Sequence, residues 1–285
     1  MSRIAYVNGQ YRDMRNASVN IEDRGYQFSD GVYEVCEIRG GKIVDMPRHL
    51  ARLQRSLREL RIDMPMPLSA LGVVIRETVR RNRVTYGIVY LQVTRGVARR
   101  DHAFPVNPVR PALVVTARGL SFQKNQDTAS KGIGVITIPE NRWPRVDIKS
   151  VSLLPNVLAK QQARENNAYE AWFVDRDGFV TEGSSSNAWI VTKGGQVITR
   201  SADSGILAGI TRAVLTDVLA ALQLTLEERP FTPAEAYEAT EAFVTASSQI
   251  VMPVVRIDGH SIGAGKPGTI SMRLREEFHR FSVFS

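Results

Sequence analysis

The apolar residues of the N-terminal part of the chain recur with two different periods. Runs at 31–37, 87–94 and 112–117 are short, apolar and rich in β-branched side chains, as strands typically are. Between 49 and 60 the leucines are spaced three or four residues apart, which predicts one apolar helix face. They are Leu50, Leu53, Leu57 and Leu60. We therefore predict a small N-terminal α+β domain over residues 1–118.

A polar stretch without periodicity separates this region from the rest of the chain. Residues 119–130 carry neither a helical nor a strand pattern, so we predict an interdomain linker there. Beyond it, strand-like segments alternate with helical stripes, as at 133–138 and 155–166. The sequence thus predicts a larger C-terminal domain over residues 131–285. Taken together, the two domains place the protein in the α+β or α/β class.

The chain is basic overall, with 37 lysines and arginines against 29 aspartates and glutamates and a formal net charge of +8. A basic balance is compatible with a polyanionic partner such as nucleic acid. However, most positive residues are interrupted by acidic or apolar ones. The densest cluster, at 80–83, has no aromatic residues interleaved for base stacking. We interpret this cluster as the solvated end of a helix, which leaves nucleic-acid binding as an alternative of a different class.

The sequence also bears on the compartment. No apolar run reaches the roughly 18 residues that a membrane span requires, and the first residues lack the apolar core of a signal peptide. Cys36 is the only cysteine, so no intrachain disulfide can form. We therefore expect a cytoplasmic protein without a membrane partner.

Lys149 is the lysine with the most unusual surroundings. Apolar residues flank it on both sides, from Val146 and Ile148 to Val151 and Leu153. A lysine set among such residues is expected to be partly buried, and burial favours the neutral amine that condenses with an aldehyde. Most lone lysines lie on the surface, but Lys149 is the candidate for Schiff-base chemistry.

Glu182 is the matching acidic candidate. It follows a hairpin whose turn is formed by residues 175–178, and it precedes the hydroxyl cluster at 184–186. Alone, Glu182 reads as a surface acid at a strand end and the serines as an ordinary turn. A lysine, a carboxylate and hydroxyls are, however, what a pyridoxal phosphate site needs. The carboxylate keeps the ring nitrogen protonated, so that the ring accepts electrons from the substrate.

Three further features suit an anionic phosphate. Gly209 opens a helix, so the free backbone N–H groups of Ile210 and Thr211 would form an anion site. Arg52, one residue from the leucine stripe, could supply a cation. After a predicted strand, Ser247 and Ser248 could donate hydroxyls. Each signal is weak by itself, because surface arginines, helix-starting glycines and serine turns are all common.

As a set, these segments carry a specific resemblance. The chain resembles the fold-type IV pyridoxal-phosphate transaminases and, within them, the D-amino acid transaminases. The matching segments follow the family order across nearly the whole chain. They are 22–28, 30–35, 49–53, 94–96, 147–150, 181–187 and 209–212. The resemblance implies a two-domain fold-type IV enzyme that works as a homodimer, with its active site at the domain and subunit junction.

The resemblance also implies roles for individual residues. Lys149 is similar to the lysine that holds pyridoxal 5′-phosphate as a Schiff base, and Glu182 to the acid on its ring nitrogen. The phosphate-binding residues are matched by Arg52 and by the segment that starts at Leu207. The remaining cofactor-binding positions are Ile210, Thr211, Ser247 and Ser248.

The substrate side of the resemblance lies in a loop. D-amino acid transaminases bind the substrate α-carboxylate with an arginine and a histidine two residues apart, contributed by the partner subunit, together with a tyrosine. Arg100, His102 and Tyr33 occupy matching positions, with the loop 99–105 expected to cross the interface. Arg99 directly precedes Arg100, so either guanidinium is a candidate to bind the carboxylate. An arginine suits this task because two N–H groups meet two carboxylate oxygens.

We therefore predict transfer of the amino group of a D-amino acid to a 2-oxo acid, with 2-oxoglutarate the acceptor that the family implies. No metal and no nucleic acid are expected. Other members of the same fold remain alternatives: a branched-chain L-amino acid transaminase, an aminodeoxychorismate lyase and an R-selective amine transaminase. The first two should not need Arg100 and His102, and the third accepts amines without a carboxylate.

Overall fold

The computed structural model of this chain describes residues 3–202 and 205–285. They group into two units by their contacts. Of the described residues, the first unit comprises 3–122, Ile148–Ser152 and Val283–Ser285, and the second comprises Gln123–Asp147, 153–202 and 205–282. A five-residue segment around Lys149 therefore belongs to the first unit, although the chain on both sides of it belongs to the second.

The first unit is built on an antiparallel sheet. Its strands and helices follow in chain order. They are β1 (Ile4–Val7), β2 (Gln10–Asp13), a 3₁₀ turn (Met14–Asn16), α1 (Arg24–Phe28), β3 (Gly31–Arg39), β4 (Lys42–Ile43), α2 (Met46–Glu59), α3 (Leu68–Asn82), β5 (Tyr86–Thr94) and β6 (Ala112–Gly119). The sheet has six strands in the order β2-β1-β6-β5-β3-β4 within the described residues. Long pairings of β5 with β3 and with β6 form its centre.

The core of the first unit joins the sheet to α2 and α3. Successive strand residues point to opposite faces, and Val32, Cys36 and Ile38 of β3 are completely buried. Leu53 of α2 and Leu71 of α3 lie in the same apolar cluster. The predicted helix is confirmed as α2, with Leu50, Leu53 and Leu57 buried, whereas Leu60 follows its last residue and is partly buried. Its apolar face therefore holds the helix against the strand that carries Tyr33 and Glu34.

The second unit is built on a mixed sheet. Its elements are α4 (Phe122–Lys131, whose first residue counts with the first unit), β7 (Ile133–Pro139), α5 (Leu154–Glu165), β8 (Glu170–Val174), β9 (Val180–Gly183), β10 (Asn187–Val191), β11 (Val197–Thr199), α6 (Ile210–Ala221), β12 (Leu226–Glu228), α7 (Pro233–Tyr237), β13 (Glu241–Ala246), β14 (Ile250–Ile257), β15 (His260–Ser261), α8 (Thr269–Glu277) and a 3₁₀ turn (Phe278–Arg280). The order is β12-β11-β10-β13-β14-β7-β8-β9, with β15 beside β14. Most strands of this sheet are buried on both faces, so apolar side chains fill successive positions.

Two apolar clusters of the second unit lie on its sheet. Trp189 of β10 stacks on Phe243 of β13, with ring centroids 5.5 Å apart, and packs with residues of α6 and α8. Trp172 of β8 meets Phe231 edge to face in the other cluster. Burial of such large aromatic side chains contributes strongly to stability. It also fixes the strands from which the candidate site residues project.

The structure corrects one sequence-based expectation of the fold. Residues 119–130 do not form an irregular linker, since β6 continues to Gly119 and α4 occupies Phe122–Lys131. The helix is polar because most of its side chains are exposed, with Ala129 its one buried residue, and two of the polar side chains also make tertiary hydrogen bonds. Asn125 donates to the carbonyl of Ser248, and Gln126 accepts from Arg275 of α8. Polar partners far along the chain leave no periodic signal in the helix itself.

Within the described part of the chain, none of the helices has both the length and the apolar character that a bilayer crossing requires.

Candidate active site

Lys149 lies in a short extended segment that pairs with β3. Its carbonyl accepts the N–H of Tyr33 at 3.0 Å, and the N–H of Val151 donates to the carbonyl of Gly31 at 3.0 Å. Lys149 itself is half-buried, with Nζ 4.2 Å from the centre of the Tyr33 ring. These contacts bring together two of the residues that the sequence singled out. The Lys149 amine therefore lies against the Tyr33 ring of β3.

Arg52 is buried in α2 and faces a buried carboxylate on β3. Its Nε and Nη2 donate to the two oxygens of Glu34 at 2.7 and 2.8 Å. His49, one turn earlier, bonds Glu34 Oε2 through Nδ1 at 2.8 Å. One turn after Arg52, Ser56 accepts the N–H of Lys149 at 3.4 Å. Helix α2 therefore contacts both Glu34 and the lysine segment.

The protonation states of this cluster follow from burial and charge. Burial works to raise the pKa of Glu34, but the charge and hydrogen bonds of Arg52 and the His49 bond lower it to about 2. The pKa of His49 is lowered chiefly by its own burial, and the Glu34 carboxylate offsets this only in part. At neutral pH, Glu34 is therefore ionised and His49 uncharged. The neutral imidazole donates from Nδ1 to the carboxylate.

Replacing Glu34 with glutamine should lower the free energy of unfolding by about 3 kcal/mol at pH 7, because the buried charge of Arg52 loses the carboxylate that opposes it. In the wild type, the contribution of Glu34 is fully present above its ordinary pKa of 4.5 and is lost as the pH falls towards its folded pKa of about 2. The variant should lack this part of the acid dependence. Urea unfolding between pH 7 and pH 2 measures both effects.

Glu77 provides the control for this experiment. Hydrogen bonds from Arg80 and Arg81 lower its pKa to about 2 as well, but it lies on the surface of α3. Because solvent screens such pairs, Glu77→Gln should change stability far less than Glu34→Gln. Equal losses in the two variants would contradict the buried-pair interpretation.

The candidate carboxylate-binding residues Arg100 and His102 lie in the loop between β5 and β6. Both are exposed to solvent and both approach the same ring. The Arg100 guanidinium carbon lies 5.0 Å from the centre of the Phe28 ring, and the His102 and Phe28 ring centres are 5.4 Å apart. Among the described residues, Arg99 has no such ring contact. The structure thus places the side chains of Arg100 and His102, but not that of Arg99, beside the Phe28 ring at the end of α1.

Glu182 lies near the end of β9 and is buried among N–H donors. Its Oε1 accepts from Arg142 at 2.6 Å. The other oxygen accepts from Asn187 Nδ2 and from the N–H of Leu207, each at 3.1 Å. Three donors on one carboxylate favour its ionised form. The N–H of Leu207 therefore contacts Glu182, whereas the sequence predicted Leu207 only as part of the phosphate-binding segment.

Arg142 connects Glu182 to a second carboxylate. It donates from Nε and Nη2 to the two oxygens of Glu140 at 2.9 and 2.6 Å. Burial works to lower the pKa of Arg142, but the hydrogen bonds with Glu140 and the charge of Glu182 raise it above its ordinary value. A permanently charged guanidinium thus fixes the orientation of the Glu182 side chain.

The start of α6 lies beside the same cluster. Gly209 caps the helix without a side-chain hydrogen bond, and a Cβ at this position would collide with Asn187 Oδ1. Ile210 and Thr211 are the first helical residues, so no carbonyl within the helix can accept their N–H groups. Glycine permits the close approach of the helix start to the strand that carries Asn187.

Ser247 and Ser248 follow the strand that pairs with β10. Asn187 of β10 lies opposite Thr245 of β13, and Ser247 comes two residues later. The chain thus brings the serine turn to the end of the sheet where Glu182 and the start of α6 lie. Beyond it, the carbonyl of Ser248 accepts a hydrogen bond from Asn125.

The hydroxyls at 184–186, which the sequence suggested for the cofactor site, contact Glu170. All three hydroxyls donate to the fully buried carboxylate of Glu170, with Ser185 and Ser186 at 3.0 and 3.2 Å. In this structure the serines therefore satisfy a buried charge, as burial of a carboxylate requires.

Several functional neighbours escaped the sequence reasoning. Glu34 had a usable signal, because it lies at an inward position of β3 between Val32 and Cys36 and so needed a buried partner. Arg142 had none, since its segment carries no periodicity. Its importance follows only from the contact with Glu182, forty residues later in the chain.

Comparison with known proteins identifies the class of this protein. Residues 31–257 match the amino-transferase class IV family, and the chain belongs to that family. A D-alanine aminotransferase of Staphylococcus haemolyticus is 38% identical over 276 residues, which cover 97% of this chain and 96% of that protein. The D-alanine aminotransferase of Bacillus licheniformis is 40% identical over 268 residues, covering 94% and 93% of the two chains.

Solved structures give the same fold. A T.th. branched-chain amino acid aminotransferase with pyridoxamine 5′-phosphate has a TM-score of 0.88 and 26% identity, covering 98% of this chain and 94% of that one. The Escherichia coli branched-chain amino acid aminotransferase has a TM-score of 0.90 at 20% identity, with the same coverage. The predictions of the fold-type IV aminotransferase fold and of a pyridoxal phosphate enzyme are confirmed.

Proposed function

We propose that this enzyme is a D-amino acid transaminase that moves the amino group of a D-amino acid to a 2-oxo acid, with 2-oxoglutarate the expected acceptor. Its cofactor is pyridoxal 5′-phosphate. The observation that carries the proposal is the Lys149 amine, fastened to β3 through its main chain and placed over the Tyr33 ring. Its relatives named D-alanine aminotransferases favour the D configuration.

The cofactor, when bound, supplies an electron-accepting ring for the α carbon of the substrate. Lys149 Nζ would hold the cofactor by a covalent bond, and once the substrate amine has displaced it, the freed Lys149 amine would take the α proton and return it. Glu182 bonds the protonated ring nitrogen. In support of that role, three N–H donors hold this carboxylate ionised. An ionised acid is what a protonated ring nitrogen requires as a partner.

Phosphate binding falls to N–H groups and a cation. Ile210 and Thr211 donate from the start of α6, where the helix dipole favours an anion. Arg52 adds positive charge, and its bidentate pair with Glu34 keeps the guanidinium in place. Hydroxyls of Ser247 and Ser248 serve as further donors, while Leu207 fixes Glu182 by its N–H group. Gly209 supports this assignment, because only a residue without a Cβ fits the close approach at the helix start.

Recognition of the substrate carboxylate falls to Arg100, His102 and Tyr33. Two cationic or hydrogen-bonding side chains from one loop can bind the two carboxylate oxygens. Arg100 rather than Arg99 takes this role, since Arg100 shares the Phe28 ring with His102. The carboxylate requirement separates this function from that of an amine transaminase.

We further propose a homodimer in which the loop 99–105 acts in the active site of the partner subunit. Exposed apolar side chains beside this loop support an interface, because large exposed apolar groups commonly mark contacts between chains. They include Ile21, Tyr26, Phe104 and Val106, which is 97% exposed. Sedimentation at micromolar concentration should give twice the mass of one chain, and a monomer would contradict the proposal.

Absorbance spectroscopy tests the substrate class directly. The purified enzyme should show a visible band from the lysine-bound cofactor. D-alanine should remove this band within seconds, whereas L-alanine and L-leucine should leave it unchanged, in line with the relatives named D-alanine aminotransferases. Loss of the band with the L-amino acids alone would move the function to the branched-chain L-amino acid transaminases. If no band forms after addition of pyridoxal phosphate, the whole assignment is wrong.

A cytoplasmic location is also proposed. The one cysteine, Cys36, is a buried free thiol, which suits a reducing compartment. Cell fractionation that finds the enzyme outside the cytoplasm would contradict it.

A further inference from the structure

Helix α1 and the loop that carries Arg100 are joined by one buried arginine. Arg24, 3% exposed, donates from Nε to Asp30 Oδ2 at 2.8 Å. Its Nη1 donates to the carbonyl of Asp101 at 2.6 Å and its Nη2 to the carbonyl of His102 at 3.3 Å. All three guanidinium nitrogens are thus used, two of them on consecutive loop carbonyls. Only the planar, forked guanidinium offers this arrangement of donors.

Phe28, at the other end of α1, contacts the side chains of the same loop. One ring approaches Arg24, Arg100 and His102, with the two guanidinium carbons 4.8 and 5.0 Å from its centre. Cations over an aromatic face are held by the ring quadrupole. Arg24 therefore fixes the main chain of the loop, and Phe28 limits the positions open to its two functional side chains.

Helix α1 is itself firmly held, although it has only five residues. Asp23 caps it by accepting the N–H of Gly25 at 2.8 Å and also accepts the hydroxyl of Thr94 at 2.9 Å. A Cβ on Gly25 would collide with Thr94, so α1 lies directly against the end of β5. The helix thus provides a rigid base for the loop.

A second buried arginine completes the anchor. Arg95 donates to both oxygens of Asp30 at 2.7 and 2.9 Å, and also to the carbonyls of Leu60 and Arg61. Asp30 is therefore shared by Arg24 and Arg95. Removal of either arginine still leaves this carboxylate paired with the other, which limits the structural damage of a substitution.

We propose that Arg24 and Phe28 are positioning residues for substrate recognition, fixing the loop so that Arg100 and His102 are preorganised for the substrate carboxylate. This inference rests on the proposed role of Arg100 and His102. Residues 95–111 form no strand or helix, and a loop of this length loses much conformational freedom when it is ordered. Because Arg24 and Phe28 order the loop before the substrate binds, their loss should weaken carboxylate binding rather than slow the chemical step.

The test uses the loaded enzyme and two substitutions. Arg24→Lys keeps a positive charge beside Asp30 but cannot reach two loop carbonyls as well. Phe28→Leu removes the ring. Each should raise the KM for D-alanine about tenfold, which corresponds to about 1.4 kcal/mol. The inhibition constant of propionate, which has a carboxylate but no amine, should rise by the same factor. The kcat should stay within about twofold of the wild type.

Hydrogen exchange gives a readout independent of turnover. Amides of residues 97–106 should exchange faster in Arg24→Lys than in the wild type, while those of α3 keep their protection. Phe28→Tyr retains the ring face and should restore the KM to near the wild-type value. Arg176→Ala is the control, because it removes an exposed arginine from the hairpin turn at 175–178, to which no site role is assigned, and it should leave both constants unchanged.

The outcomes separate this inference from the function on which it rests. If Arg100→Ala raises the KM and Arg24→Lys changes neither the KM nor the exchange of the loop, the positioning role is wrong. A fall in kcat at constant KM would equally overturn it. If Arg100→Ala itself leaves the KM and the propionate constant unchanged, the carboxylate role of Arg100 is wrong. The exchange data alone then decide whether Arg24 fixes the loop.

Discussion

Replacing Lys149 with alanine should abolish transamination, lowering the rate by more than about 10³-fold. The variant lacks both the amine that attaches the cofactor and the base that moves the α proton. The visible band of the lysine-bound cofactor should also disappear, because a methyl group cannot form that bond. Absorbance spectra and single-turnover reactions with D-alanine measure the two losses separately. Folding should be little affected, since the main-chain hydrogen bonds of this segment with β3 do not depend on the Lys149 side chain.

Lys193 is the control for this substitution. It is an exposed lysine whose amine pairs with Glu238 on the surface. Lys193→Ala should retain the band and the rate, because surface pairs contribute little to stability. If Lys149→Ala keeps full activity, Lys149 does not carry the cofactor and another lysine must be sought.

The same variant decides whether the loop acts across a dimer interface. Chains carrying Lys149→Ala and chains carrying Arg100→Ala should each be impaired as homodimers. In a mixed dimer, Arg100 of the Lys149→Ala chain would act in the site that contains the intact Lys149 of the other chain. Random mixing of the two chains should then restore about a quarter of the wild-type sites. No recovery would show that Arg100 serves its own subunit.

Local patterns predicted the parts of the fold that depend on local physics. The leucine spacing of α2 is set by the helical period, and the apolar runs of β5 and β6 by burial on a sheet. The polar helix α4 was missed because most of its side chains are exposed, with Ala129 its one buried residue, and because its partners Arg275 and Ser248 lie more than a hundred residues away. A tertiary hydrogen bond of this kind has no counterpart in the composition of the segment that makes it.

The same distinction applies to the candidate site. Lys149 became a candidate because apolar residues flank it, and Glu182 became one only when paired with Lys149, since an acid at a strand end reads by itself as a surface residue. Arg142 and Arg24 could not be predicted, because each acts by reaching carbonyls or carboxylates on segments distant in sequence. The expected chemistry was therefore visible in the sequence, whereas the residues that orient it were not.

The second large effect concerns Glu182. Glu182→Gln should retain the cofactor but slow the half-reaction with D-alanine about 100-fold, because a neutral amide does not keep the ring nitrogen protonated. The amide also meets three N–H donors in this structure, so its own NH₂ group must face one of them. Stopped-flow absorbance after D-alanine addition measures the rate, and the spectrum before mixing reports the cofactor content.

Glu140 offers a matched control, since it bonds the same guanidinium of Arg142 and no cofactor role is assigned to it. Glu140→Gln removes one of the two carboxylates on Arg142 while leaving Glu182 ionised. If Glu182 acts on the ring nitrogen, the rate of Glu140→Gln should stay within a few-fold of the wild type. Equal slowing in both variants would show that the effect comes from the arrangement of Arg142, and the role of Glu182 at the ring nitrogen would then be wrong.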